Sequence, residues 1–198
     1  MAGMRVGVLA LQGDYGAHVA ALGREGIEGA EVRYAAQLET LEGLILPGGE
    51  STTLLHLIGD NGFSGALRRF HERGGAIFGT CAGAILLARR VTNPVQPSFG
   101  FIDIDIERNA FGRQIDSFET RRATSAFRDP PLEMVFIRAP RIRRIGPGVE
   151  VLAEIDGEPV LVRQDRVLAG TFHPELARDG RVHRLFAEMA AAPRLTTS

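Results

Sequence analysis

The chain holds a single cysteine, Cys81, within the run AIFGTCAGAILLA at 76–88. An isolated buried cysteine is ordinarily a small hydrophobe. Here its neighbours suggest chemistry, because Gly79-Thr80-Cys81-Ala82-Gly83 has the glycine, any residue, nucleophile, any residue, glycine spacing of a nucleophile elbow. In such an elbow a strained strand-to-helix turn admits only small residues beside the reactive side chain. The apolar AIF before it and AGAILLARR after it supply the strand and helix that the motif requires. A helix start beside the sulfur also favours a thiolate through its partial positive charge.

A thiol nucleophile needs a base. The candidates are His18, His56, His71, His173 and His183. Four of them sit in helix-like patterns, where surface or interhelical packing is the ordinary reading. His173 differs, lying in GTFHPEL at a predicted strand end with Pro174 next and Glu175 two residues on. If that strand stays extended through 173–175, side chains i and i+2 point the same way, and Glu175 can accept a hydrogen bond from the imidazole. Cys81, His173 and Glu175 then take the parts of nucleophile, base and orienting carboxylate. A second glycine turn, LPGGEST at 46–52, lacks a phosphate-loop lysine and carries Glu50, which would repel a phosphate. It is either an ordinary strand-to-helix turn or a backbone N–H donor to an oxyanion, with the N–H of Ala82 as second donor.

Composition narrows the classes. With 198 residues and 44% hydrophobic content, the chain reads as one domain, 1–198, with a substantial core. The basic residues (23) nearly balance the acidic ones (24), which argues against nucleic-acid binding. The cluster RIRR at 141–144 is read as a solvated loop. Every basic residue is arginine, so lysine Schiff-base chemistry is excluded. No apolar run reaches membrane-span length and no leader pattern opens the chain, so a cytoplasmic protein is expected. A lone cysteine cannot form an internal disulfide, which agrees.

The elements that must position these groups alternate as strand and helix. Strands are predicted at 5–11, in LEGLILPGGE (41–50) running into its glycine turn, and at 76–78, and helices at 18–26, 51–62, 64–74, 82–90 and 179–190. Ser51 or Thr52 is expected to cap the second helix. From about 91 to 170 the chain turns β-rich, with Ile102, Ile104 and Ile106 alternating against acids and a hairpin near EIDGEPVLVRQDRVLAGTF. The tail AAPRLTTS is expected to fray.

Taken together, LALQG, LILPGGEST, GTCAG, RNAFGRQIDSFE, FIRAP and TFHPEL resemble class I glutamine amidotransferases, and among them the glutaminase subunits of pyridoxal 5'-phosphate synthase, over nearly the whole chain. The resemblance implies a flavodoxin-like three-layer α/β sandwich with a mostly parallel sheet and an antiparallel extension. It implies hydrolysis of L-glutamine by Cys81, His173 and Glu175. Gly48, Gly49, Glu50, Arg108, Ile137 and Arg138 would bind glutamine, and Gln12, with Gly49 and Ala82, would lie at the oxyanion region. Neither metal nor cofactor is expected, and the partner implied is a barrel-shaped synthase subunit that takes the ammonia. Two other readings stand beside this one: a different cysteine hydrolase on the same fold, active alone on peptides or esters, and a non-catalytic binding module.

Overall fold

The computed structural model describes residues 5–110 and 117–193. Four short strands are buried along their whole length: β1 (Val6–Leu9), β3 (Gly43–Leu46), β4 (Ala76–Thr80) and β12 (Val167–Gly170). Strands apolar on both faces belong in a parallel sheet covered by helices on each side. They form the centre of a seven-stranded sheet that also takes in β2 (Gly29–Val32), β10 (Glu150–Ile155) and β11 (Glu158–Gln164), in the order β10-β11-β12-β4-β3-β1-β2. Five neighbouring strands, β2, β1, β3, β4 and β12, run parallel, and β11 and β10 add antiparallel at one edge. That parallel order is the flavodoxin-like one.

Alternate residues serve opposite faces. Leu44 and Leu46 of β3, Ile77 of β4 and Val167 and Ala169 of β12 pack with α2 (Ser51–Asp60), α3 (Phe63–Glu72) and α4 (Ala82–Leu87). Ile45, Phe78 and Leu168 pack on the other side with α1 (Tyr15–Arg24) and α5 (Arg181–Ala191), including Leu22, Val182 and Phe186. Burial of both faces supplies the main driving force, at about 1.5–3 kcal/mol per large apolar side chain. The expected three-layer sandwich is therefore present.

Several local expectations give way. The fourth predicted helix stops at Leu87, and Ala88–Thr92 is a strand, β5. All six residues of α4 are buried, so it has no polar face to carry further along the surface. Arg89 and Arg90 instead face outward on β5 while Val91 is buried. Arg141–Ile145, read as a solvated loop, is strand β9. Together with β6 (Ile102–Glu107) these strands make a separate sheet, β5-β6-β9, whose Ile104 and Ile106 turn inward as their alternation predicts. The β9 arginines are held there by acids: Arg144 bonds to Asp103 and Asp105, and Arg143 to Glu107. A hairpin of β7 (Ser117–Arg122) and β8 (Leu132–Ile137) completes the fold. The stretch 111–116 of the RNAFGRQIDSFE motif and the end of the tail lie outside the described residues.

Candidate active site

The carboxyl ends of β3, β4 and β12 meet at one edge of the sheet, where open α/β folds bind their ligands. β4 ends at Thr80, and Cys81 turns at φ 48°, ψ −105° before α4 begins at Ala82. A side-chain-bearing residue held at positive φ costs on the order of 1–3 kcal/mol, a strain typical of functional turns. The chain around it permits this. A Cβ on Gly79 would lie 2.5 Å from the carbonyl carbon of Gly83, and one on Gly83 would lie 2.0 Å from the Leu46 carbonyl oxygen. The Cys81 N–H donates to the Gly170 carbonyl at 2.8 Å, which ties the elbow to β12.

β12 stops at Gly170, so the extended strand expected through 173–175 is not formed. The chain then turns, with the Leu176 N–H donating to the His173 carbonyl and that of Ala177 to Pro174. The turn still unites the two side chains: His173 Nδ1 lies 2.7 Å from Glu175 Oε1. The backbone N–H of His173 donates to Val135 of β8 at 2.8 Å. Burial disfavours a charged His173, but hydrogen bonds and charge attraction from Cys81 and Glu175 outweigh it and raise the imidazole to about 10. Since Nδ1 is engaged by Glu175, the Cys81 contact falls to Nε2. Glu175 is 4% exposed, so its partners, not water, fix its orientation.

The second glycine turn closes over this group. A Cβ on Gly48 would fall 2.6 Å from His173 Cε1 and 3.4 Å from Cys81 Cβ. Gly49 takes φ +143°, and a Cβ there would strike the Gln12 amide at 2.6 Å. Gln12 thus packs against Gly49, Gly49 lines a cleft with Cys81, and Ala82 follows Cys81 in the chain. The expected Ser51 or Thr52 cap is corrected: Glu50 is the residue before α2, and its carboxylate accepts from the N–H groups of Thr52 and Thr53. Burial works against ionisation of Glu50, yet these hydrogen bonds prevail and lower it to about 2. Ser51 is buried and donates to Gln96 Oε1 at 2.9 Å instead.

Glu50, Arg108, Ile137 and Arg138 line a cleft of about 290 Å³ that opens onto Cys81 and His173. That is near the lower bound of small-molecule pockets, about 300 Å³, and suits an amino acid better than a peptide. Arg108 and Glu50 pair with each other across the rim at 3.2 Å. Arg138 has a positive φ of 43°, directing the strand end into the cleft. Ser51, Ile85, Asn109 and Pro140 also line it. Ser51, Asn109 and Pro140 lie within quoted motifs and Ile85 within the run around Cys81, but none stands out there as a site residue. Among the described residues no cluster of three or more His, Cys, Asp or Glu could hold a metal ion. Such an arrangement can add a thiol to a carbonyl carbon, move the thiol proton to a leaving nitrogen, and stabilise the oxyanion between.

A profile of the SNO glutamine amidotransferase family matches residues 8–192. The chain belongs to that family. Similar members include proteins named pyridoxal 5'-phosphate synthase subunit PdxT. One, from Koribacter versatilis, is 55% identical over 94% of this chain and 95% of its own. Another, from Thermus thermophilus, is 55% identical over 93% of this chain and 97% of its own. A crystal structure described as a glutamine amidotransferase superposes with a TM-score of 0.89 at 52% identity, covering 94% of this chain and 99% of that one. A structure described as a putative GMP synthase subunit from Thermoplasma acidophilum, 18% identical with a TM-score of 0.67 and covering 96% of each chain, shares the fold.

Proposed function

We propose that this chain hydrolyses L-glutamine to L-glutamate and ammonia, and passes the ammonia to a synthase subunit that builds pyridoxal 5'-phosphate. The observation that carries the reading is the meeting, at one sheet edge, of the strained Cys81 elbow with the His173–Glu175 pair beside a cleft sized for an amino acid. Relatives named as subunits of pyridoxal 5'-phosphate synthase support it.

The chemistry follows from the groups. Cys81 Sγ adds to the glutamine side-chain carboxamide carbon, its proton already held on the His173 imidazolium. The oxyanion is met by the N–H groups of Ala82 and Gly49, with Gln12 holding the Gly49 turn. His173 then gives the proton to the amide nitrogen, the C–N bond breaks, and ammonia leaves a thioester on Cys81. Water, its proton taken by His173, attacks the thioester carbon, and glutamate departs as Sγ leaves, restoring the thiolate and imidazolium. Glu175 holds the His173 ring and balances its charge. Glu50 and Arg108 at the rim suit the two charges of an α-amino acid, with Gly48, Ile137 and Arg138 shaping the remaining wall.

Ammonia protonated in bulk water is no longer a nucleophile, so the consuming site must dock close by. No helix among the described residues is long and apolar enough to cross a membrane, and we assign the reaction to the cytoplasm. The test is glutamate release from L-glutamine by the purified chain, alone and with the synthase subunit, with Cys81→Ala as blank. Turnover that rises with the partner and vanishes in Cys81→Ala is expected. Its absence in a complex shown to form would overturn the reading.

A further inference from the structure

Two histidines outside the proposed machinery are fully buried and lie directly behind it. His18 of α1 and His183 of α5 are both 0% exposed, an unusual place for an imidazole unless its nitrogens are used. His18 Nε2 lies 3.3 Å from Glu175 Oε2, the carboxylate oxygen turned away from His173, which is buried and makes no aligned hydrogen bond among the described residues. The same nitrogen is 3.1 Å from the hydroxyl of Thr80, the residue just before the nucleophile. His18 Nδ1 is 3.0 Å from His183 Nε2. A line of close polar contacts therefore runs from Cys81 through His173, Glu175 and His18 to His183, its Glu175–His18 step being a 3.3 Å approach and not an aligned hydrogen bond.

The acceptors assign the protons along it. An ionised carboxylate oxygen can only accept, so His18 must carry its proton on Nε2, which is bonded to the Thr80 hydroxyl and lies 3.3 Å from Glu175 Oε2. His18 Nδ1 is then a lone pair, and His183 Nε2–H donates to it. The reverse tautomer would set a nitrogen lone pair against the carboxylate. His183 is thereby the element that fixes the tautomer of His18. The remaining nitrogen, His183 Nδ1, finds no hydrogen-bond partner among the described residues. In this arrangement it is a bare lone pair, less costly to leave unpaired than an N–H.

We propose that His18, held in its Nε2–H form by His183, is the positioning residue that orients the Glu175 carboxylate toward His173. This rests on the glutaminase reading of Cys81, His173 and Glu175. Without a donor behind it, Oε2 would be a buried charge with nothing to hold its plane, and Oε1 would be free to rotate off His173 Nδ1. The line works because its inner half stays neutral. Burial first, then the charges of His183 and His173, keep His18 well below the ordinary histidine range. Burial and the nearby Arg24 guanidinium lower His183 to about 4. Phe78 of β4 meets the His183 ring edge-on at 6.3 Å and adds no charge. His173 is the cation bonded to Glu175.

Nitrogen-15 NMR of the chain labelled at histidine tests the tautomer directly, with no need of glutamine or the partner. Neutral His18 protonated on Nε2, from pH 6 to 8, is expected; an Nδ1–H form or an imidazolium there overturns the proposal. Kinetics with the synthase subunit test the consequence. His18→Leu is expected to lower kcat about tenfold to a hundredfold, the scale of outer partners of acting histidines, with KM within about twofold. It should also broaden the His173 Nδ1–H resonance. His18→Gln, whose side-chain amide can still donate toward Glu175, should recover most of both. Wild-type kcat and an unmoved resonance in His18→Leu, or equal losses in both folded variants, would overturn it. If His18→Leu fails to fold, the wild-type tautomer and His18→Gln decide. Turnover surviving in Cys81→Ala would instead sink the glutaminase reading, and the tautomer result would stand apart from it.

Discussion

His173 is held in place by what surrounds it, and Gly48 is the tightest of those neighbours. Gly48 does not sit at positive φ, so alanine suits its backbone, yet the added methyl would lie 2.6 Å from His173 Cε1. Gly48→Ala is therefore expected to fold normally while pushing the imidazole away from Cys81. A displacement of about 1 Å at a reacting group costs about 100-fold in rate. Measured kcat for glutamate release should fall on that scale with the thermal midpoint little changed; wild-type turnover would remove Gly48 as a spacer. At this scale the sequence was informative where spacing dictates geometry. GTCAG announced an elbow because only small residues fit one. HPE announced a His–Glu contact, which the structure makes through a turn and not along a strand, since β12 has already ended at Gly170. His18 and His183 were legible only as helix residues, because nothing local reveals that α1 brings His18 to Glu175 or that α5 sets His183 against His18 from 165 positions away.

The elements that carry the site are packed backbone to backbone, which makes them intolerant of one extra carbon. On Gly83 a Cβ would fall 2.0 Å from the Leu46 carbonyl of β3, a contact that no side-chain rotation relieves. Gly83→Ala should cost about 3 kcal/mol, the upper end for overpacked interiors, read as a lowered urea midpoint or loss of soluble chain. A wild-type midpoint would mean that α4 can slide on the sheet. The strong periodic segments were predicted in kind: β1, β3, β4 and a helix after each, although the helix after β4 is shorter than its apolar run suggests. β2 escaped because GAEV has no apolar run, and its burial is confined to Val32. β5 and β9 escaped for a different reason. Their arginines read as helix end and loop, and only the facing acids Asp103, Asp105 and Glu107 make them strand faces.

Across the whole molecule the buried histidines set the response to acid. His18 and His183 are neutral when folded because burial lowers both, whereas in the unfolded chain each takes a proton below about pH 6.5. The unfolded state then holds more protons, so stability falls as pH drops from about 6.5, by about 1.4 kcal/mol per pH unit per histidine. For His183 the loss ends near pH 4, where the folded form also protonates. Denaturant midpoints measured between pH 7 and 4.5 should decline, and a flat profile would contradict the burial of both rings in solution. The layered α/β plan was legible from the alternation of strands and helices. Assembly of the later strands into three sheets was not, because pairings such as Ile104 with Ile145 join segments far apart in the chain. The elbow also bears on oxidative damage. Cys81 faces the cleft as the only sulfur nucleophile in the chain. If peroxide converts it to a sulfenic acid, no second thiol of the same molecule can condense with it and open the way back. Recovery must come from a small reductant entering the passage glutamine uses, so a seated substrate shields the sulfur from oxidant and from rescue alike.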